Sequence, residues 1–195
     1  MRVIGLTGGM GMGKSTAAEI FRRARIPVFD ADRAVHDLEG PGGRAVKPIA
    51  AAFPGVVTDG IVDRARLRTR IVADPAALPR LESILHPLVR AKERAFLARA
   101  RRERRRLVVL DIPLLIETGG ERRVDEVVVV SAPAAVQRAR LGRRGKMQPG
   151  ELSAILARQM PDREKRRRAD LVVPTGLSRH HGQRVLRRLV WELIA

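Results

Sequence analysis

The sequence predicts a three-layer α/β/α fold around a five-stranded parallel sheet, with a mostly helical insertion and a small lid. Short apolar runs alternate with segments of helical periodicity, the pattern of a parallel sheet covered on both faces. The first run opens into a glycine-rich turn that leads straight into a helix. A long, mostly helical stretch, residues 33–106, separates the second run from the third and is too long for a simple crossover.

The elements follow in order. Val3 to Leu6 is a buried strand ending in Thr7-Gly8-Gly9. From Ser15, Ala18 and Phe21 recur at helical spacing, which gives a helix to about Arg25. Ile26-Pro27-Val28-Phe29 is a second strand, ending at Asp30-Ala31-Asp32 and completing a βαβ unit. Within 33–106, Gly40-Pro41-Gly42-Gly43, Pro54-Gly55 and Asp59-Gly60 read as breaks. Asp74-Pro75 reads as a helix start, Pro87 as a helix junction and Leu88 to Arg104 as a helix. Leu107 to Leu110 is the third strand, ending in Asp111, and Val124 to Val130 is the fourth. Ala134 to Arg143 is a helix, followed by the basic loop Arg144-Gly145-Lys146 and a helix over Glu151 to Gln159. Leu171 to Val173 is the fifth strand, and Arg179 to Ile194 closes the chain as a helix. The reading is one domain over 1–195, with 33–106 as the helical insertion and 140–162 as an Arg-rich lid and the helix after it.

Composition narrows the function. With no Cys, disulfides, thiolate metal sites and Cys nucleophiles are excluded. Aromatics are 3% of the 195 residues, so the core is built from Leu, Val, Ile and Ala. The net charge of +18 suits an anionic partner, either a polyphosphate substrate or nucleic acid. The arginines are spread widely, and stacking aromatics interleaved with basic residues are missing, so no nucleic-acid partner is expected. No run approaches the roughly 18 apolar residues of a membrane span. The start of the chain runs directly into a strand without a signal-peptide pattern, which predicts a cytoplasmic protein that does not engage a membrane. A monomer or weak homo-oligomer is expected.

Gly8-Gly9-Met10-Gly11-Met12-Gly13-Lys14-Ser15 fits the phosphate-binding pattern G-x-x-x-x-G-K-[ST], between a strand and a helix. Glycines let the backbone turn its N–H groups on phosphate oxygens, and the helix start adds its positive end. Gly9, Gly11, Met12, Gly13, Lys14, Ser15 and Thr16 are therefore the nucleotide-binding residues, with Lys14 reaching the β- and γ-phosphates and Ser15 ligating Mg²⁺. ATP and Mg²⁺ are the implied cofactors.

Ligands of parallel sheets bind beyond the carboxyl ends of the strands, where Asp30, Asp32 and Asp111 fall. Asp111, closing an apolar run, fits a Mg²⁺-holding carboxylate. Asp32 is the choice for orienting or deprotonating an acceptor hydroxyl; by pattern alone, Asp30 or Asp32 could equally cap the next helix.

The motifs together resemble the dephospho-CoA kinase family. The phosphate loop, Phe29-Asp30-Ala31-Asp32-Arg33-Ala34-Val35-His36, Leu85-His86-Pro87-Leu88-Val89 and Asp111-Ile112-Pro113-Leu114-Leu115-Ile116-Glu117 are similar to that family's segments. So are Arg140-Leu141 with Arg144, Arg158-Gln159-Met160-Pro161, and Lys165 with Ala169-Asp170-Leu171-Val172-Val173, all in family order. The resemblance implies transfer of phosphate from ATP to the ribose 3′-hydroxyl of dephospho-CoA. It implies that Asp32 activates or orients that hydroxyl, that Arg140 and Arg144 close over the phosphates, and that His86, Leu114 and Glu117 shape the acceptor pocket. Read from the residues alone, Arg140 and Arg144 equally fit a solvated helix face and His86 a helix break. The chain departs from the family at Pro174-Thr175-Gly176, where an Asn near the base is usual, and at Gly145 and Ile155, which stand for an Asp and an Arg. The alternatives are a kinase for another small acceptor, such as a nucleoside or nucleotide, and a nucleic-acid-binding ATPase. A GTP switch would need an N-K-x-D segment, which the chain lacks.

Overall fold

A computed structural model describes residues 1–143, 159–176 and 179–194. The chain divides into two compact units, Met1–Phe29 with Ala100–Ala195, and Asp30–Arg99.

The first unit is built on a five-stranded sheet. Its strands are β1 (Arg2–Thr7), β2 (Val28–Asp30), β5 (Leu107–Asp111), β6 (Glu126–Ser131) and β7 (Leu171–Pro174), in the order β2-β5-β1-β6-β7. The pairs β1–β5, β1–β6 and β6–β7 run parallel. β1 is therefore the central strand, and the register sets Asp111 at the end of β5 beside Leu6 at the end of β1.

The valine run of β6 shows why such strands read as continuous apolar sequence. Val128 and Val130 pack with Phe21 and Leu186 in one cluster, while Val127 and Val129 pack with Leu115 and Ile116 in another. Successive residues point to opposite faces, and both faces are buried. Helix α1 (Lys14–Arg23) forms because Ala17, Ala18, Ile20 and Phe21 give it one buried stripe. It packs against the closing helix, Arg179–Ile194. Between them in sequence lie helices Ala134–Arg143 and Asp162–Arg167. The helix expected from Glu151 and the basic residues Arg144 and Lys146 lie outside the described residues.

The second unit contains α2 (Ala31–Glu39), α3 (Val46–Ala52), α4 (Arg64–Ala73), most of α5 (Ala77–Arg102) and a hairpin of β3 (Val57–Thr58) and β4 (Ile61–Val62). The Ala134–Arg143 helix is thus α6, Asp162–Arg167 α7 and the closing helix α8. One turn signal in this unit is borne out, and one expectation is corrected. Asp59-Gly60 is more than a break: both residues have positive φ, 51° and 73°, and join two antiparallel strands as a two-residue hairpin turn. Pro87 is no junction, because α5 runs through it as one 26-residue helix. A proline inside a helix removes one backbone hydrogen bond and crowds the preceding turn. The helix persists because Leu81, Ile84 and Leu85 before Pro87, and Leu88 and Val89 after it, pack against one cluster with Leu38, Ile49 and Phe53.

Gly43 closes the turn after α2, with its N–H on the Gly40 carbonyl. A Cβ there would stand 2.1 Å from the Leu38 carbonyl oxygen, which already accepts from the Ala45 N–H at 3.1 Å. Backbone cannot yield as a side-chain tip can. Gly43→Ala is expected to destabilise the protein by about 3 kcal/mol, read as a lower denaturation midpoint in urea; an unchanged midpoint refutes the packing.

Candidate active site

The phosphate loop leaves the end of the central strand and enters α1 at Lys14. Gly13, the residue before the helix, has φ 98°, a left-handed conformation open to glycine, and offers no side-chain cap. There is no acidic residue in the first turn either. The opening N–H groups of α1 are left to an anion, which the positive helix end favours.

Lys14 and Asp111 meet here. The Lys14 Nζ lies 2.6 Å from Asp111 Oδ1, with Asp111 only 3% exposed. The sequence separated them by 97 positions; the β1–β5 register brings them together. Ser15 is exposed one residue into α1, and Thr16 is half-buried. A hydroxyl and a carboxylate at this point are hard oxygen donors of the kind Mg²⁺ takes, with phosphate and water completing the shell. Among the described residues no cluster of three or more His, Asp or Glu forms a dedicated metal cage.

Arg140, half-buried on α6, donates to the Gly11 carbonyl at 3.1 Å, to Thr175 Oγ1 at 3.3 Å and to the Thr175 carbonyl at 2.5 Å. It is therefore seated on the phosphate loop and on the residue after β7 at once. Thr175 lies in the segment where the family's usual Asn is missing. Its buried hydroxyl donates to the Met12 carbonyl at 2.5 Å, and its side chain would touch a Cβ on Gly13 at 3.4 Å. The Met12 side chain is buried too, with its sulfur accepting from the Ala132 N–H at 3.1 Å. Met12 thus serves the loop by anchoring it. The departure at Pro174-Thr175 flagged a difference without revealing this bond, because nothing in the local pattern points to a carbonyl 163 positions away.

A second polar chain runs under the loop. Thr7 Oγ1 donates to the Pro113 carbonyl at 2.9 Å. The fully buried Lys165 of α7 donates to that same carbonyl at 3.2 Å and pairs with Glu117 Oε1 at 2.8 Å. Glu117 Oε1 also accepts from the Met160 N–H at 2.9 Å. Glu117 is thereby engaged in fixing the turn that carries half-buried Leu114. A buried ammonium is tolerated when paired and hydrogen-bonded, as here. Nothing in the local sequence sets Lys165 apart, since it is one lysine within the basic run 163–168.

The carboxylates where β2 meets α2 separate cleanly. Asp30 is the N-cap of α2, its side chain accepting from the Arg33 N–H at 3.0 Å. Asp32 stands in the first turn of α2 with its side chain exposed. His86 is exposed on α5, one residue before Pro87. Arg144 lies outside the described residues. No helix among the described residues is long and apolar enough to cross a membrane.

A parallel sheet whose central strand opens into a glycine loop, with a lysine and a strand-end carboxylate at its mouth, defines a P-loop nucleotide-binding protein. The family model for dephospho-CoA kinase matches residues 2–178. The chain is 57% identical over 176 residues to a dephospho-CoA kinase of Mesorhizobium japonicum, covering 90% of this chain and 88% of that one. It is 51% identical to one of Bradyrhizobium diazoefficiens, over 100% of this chain and 95% of that protein. Among solved structures, a Thermus thermophilus protein superposes with a TM-score of 0.81 at 34% identity, covering 98% and 97% of the two chains. A dephospho-CoA kinase from Campylobacter jejuni shares the fold, with a TM-score of 0.70 at 21% identity and the same coverage. The chain belongs to the dephospho-CoA kinase family.

Proposed function

We propose that the chain transfers the γ-phosphoryl group of ATP to the ribose 3′-hydroxyl of dephospho-CoA, giving coenzyme A and ADP. The observation that carries this reading is the family match across residues 2–178, which hold the phosphate loop and Asp111. The triphosphate lies on the N–H groups of the glycine loop and of Lys14, Ser15 and Thr16 at the head of α1. Lys14 turns from Asp111 to the β- and γ-phosphates. Ser15 and Asp111 would hold Mg²⁺, which would supply positive charge beside the phosphate oxygens.

The acceptor is bound by His86, Leu114 and the turn that Glu117 fixes. Asp32 takes the proton of the 3′-hydroxyl as its oxygen attacks the γ-phosphorus. The bond from that phosphorus to the bridging oxygen breaks, and ADP departs with the electron pair. Arg140 and Arg144 supply fixed positive charge to the phosphoryl group in flight. The partners are these two small molecules, the setting the cytoplasm, and the working form a monomer or weak homo-oligomer.

Coupled ADP release with dephospho-CoA, a nucleoside and a nucleoside monophosphate as rival acceptors is the test. Turnover is expected with dephospho-CoA, the phosphate appearing at the 3′ position by ³¹P resonance. Preference for a nucleoside monophosphate sinks the proposal.

A further inference from the structure

We infer that Gln137 and Gln159 are positioning residues that hold the tip of the phosphate loop in its ATP-binding shape. Both act on Met10. The Gln159 Oε1 accepts from the Met10 N–H at 3.0 Å, and the Gln137 Nε2 donates to the Met10 carbonyl at 2.7 Å. These two groups belong to the two peptide planes flanking Met10, so both planes are fixed.

The bonds also fix which end of each amide faces the loop. A backbone N–H can only donate and a carbonyl can only accept, so Gln159 presents its oxygen and Gln137 its nitrogen. Both side chains fit against the bare backbone: a Cβ on Gly9 would lie 3.3 Å from Gln159 Oε1 and 3.4 Å from Gln137 Nε2.

The need for such support follows from the loop's composition. With glycine at 8, 9, 11 and 13, the loop has few side chains to restrict its backbone. A loop free to sample many shapes loses more entropy when it closes on phosphates and binds them more weakly. The two glutamines come from separate places, Gln137 on α6 and Gln159 shortly before α7, and converge on one residue. The Met10 N–H is committed to Gln159, which leaves the uncapped N–H groups at the head of α1 to grip the anion.

Substitutions can keep or break each bond, with each charge matched at one site and mismatched at the other. Gln159→Glu retains an acceptor, whereas Gln159→Lys sets a donor against the Met10 N–H. Gln137→Lys retains a donor, whereas Gln137→Glu sets a carboxylate against the Met10 carbonyl. The readout is the dissociation constant for ATP by titration calorimetry, which does not depend on the acceptor's identity, with the parent chain as reference.

The two mismatched variants are expected to bind ATP about tenfold more weakly than the matched variant at the same site. In turnover, the KM for ATP is expected to rise while that for the acceptor is unchanged. Local charge alone predicts lysine better than glutamate at both sites; the inferred bonds predict opposite rankings at the two. If glutamate is worse at both sites, or all four variants lie within twofold of each other, the inference fails. Should a mismatched variant not fold, the Gln→Met version of that site is read instead. About tenfold weaker ATP binding by it supports the inference, and binding within about twofold of the parent overturns it.

Discussion

Lys14→Ala is expected to lower ATP-dependent turnover by about 10³-fold or more, with far-ultraviolet circular dichroism unchanged from the parent. The size follows from where Lys14 sits. Its ammonium is carried on the first residue of α1, next to uncapped N–H groups, with its side chain only 14% exposed. A fixed charge in a site shielded from water interacts strongly with charge spreading over the transferring phosphoryl group and needs no reorganisation when the reaction occurs. The substitution also takes from Asp111 an ammonium partner 2.6 Å away, which weakens the local geometry that a metal would use. The fold does not depend on it, because the buried stripe of α1 begins at Ala17. Turnover within tenfold of the parent, by coupled ADP release, removes Lys14 from the chemistry.

The phosphate loop was legible in the sequence because its function is carried by consecutive residues, Gly8 to Ser15, and local spacing is what a sequence displays. Asp111 drew notice for a related reason: it closes the apolar run Leu107 to Leu110, a strand that the structure buries throughout. Elements read well where one pattern governs them, as in β6 with both faces buried. They read poorly where a local signal is overridden by packing. Pro87 carries a strong breaking signal, yet the apolar residues on either side of it pack in one cluster and keep α5 whole.

The supporting residues were hidden for a different reason. Gln137, Gln159, Thr175 and Lys165 act through hydrogen bonds to backbone or to side chains far along the chain, and any polar side chain of the right length can do that. Helix α6 shows no pattern that sets Gln137 apart, and the place of Thr175 is marked only by a departure from an expected Asn. What the sequence states in types and spacings it reveals; what the fold assembles from single residues it does not.

Asp30 at the end of β2 and Asp32 just past it allow the sharpest contrast. Asp32→Asn is expected to lower kcat by about 10²- to 10⁴-fold while ATP binding by calorimetry stays within about twofold of the parent. The amide has the shape of the carboxylate but cannot take a proton from the acceptor hydroxyl. Asp30→Asn makes the same chemical change two residues away and is expected to leave kcat nearly intact. The reason is that Asp30 accepts from the Arg33 N–H as the cap of α2, and asparagine caps a helix about as well as aspartate. Both variants remove one negative charge from the same turn, so a general electrostatic effect would weaken both alike. A carboxylate at Asp32 that engages the acceptor hydroxyl separates them by orders of magnitude. Equal losses in the two variants, or a larger loss at Asp30, would take the proton-accepting role away from Asp32.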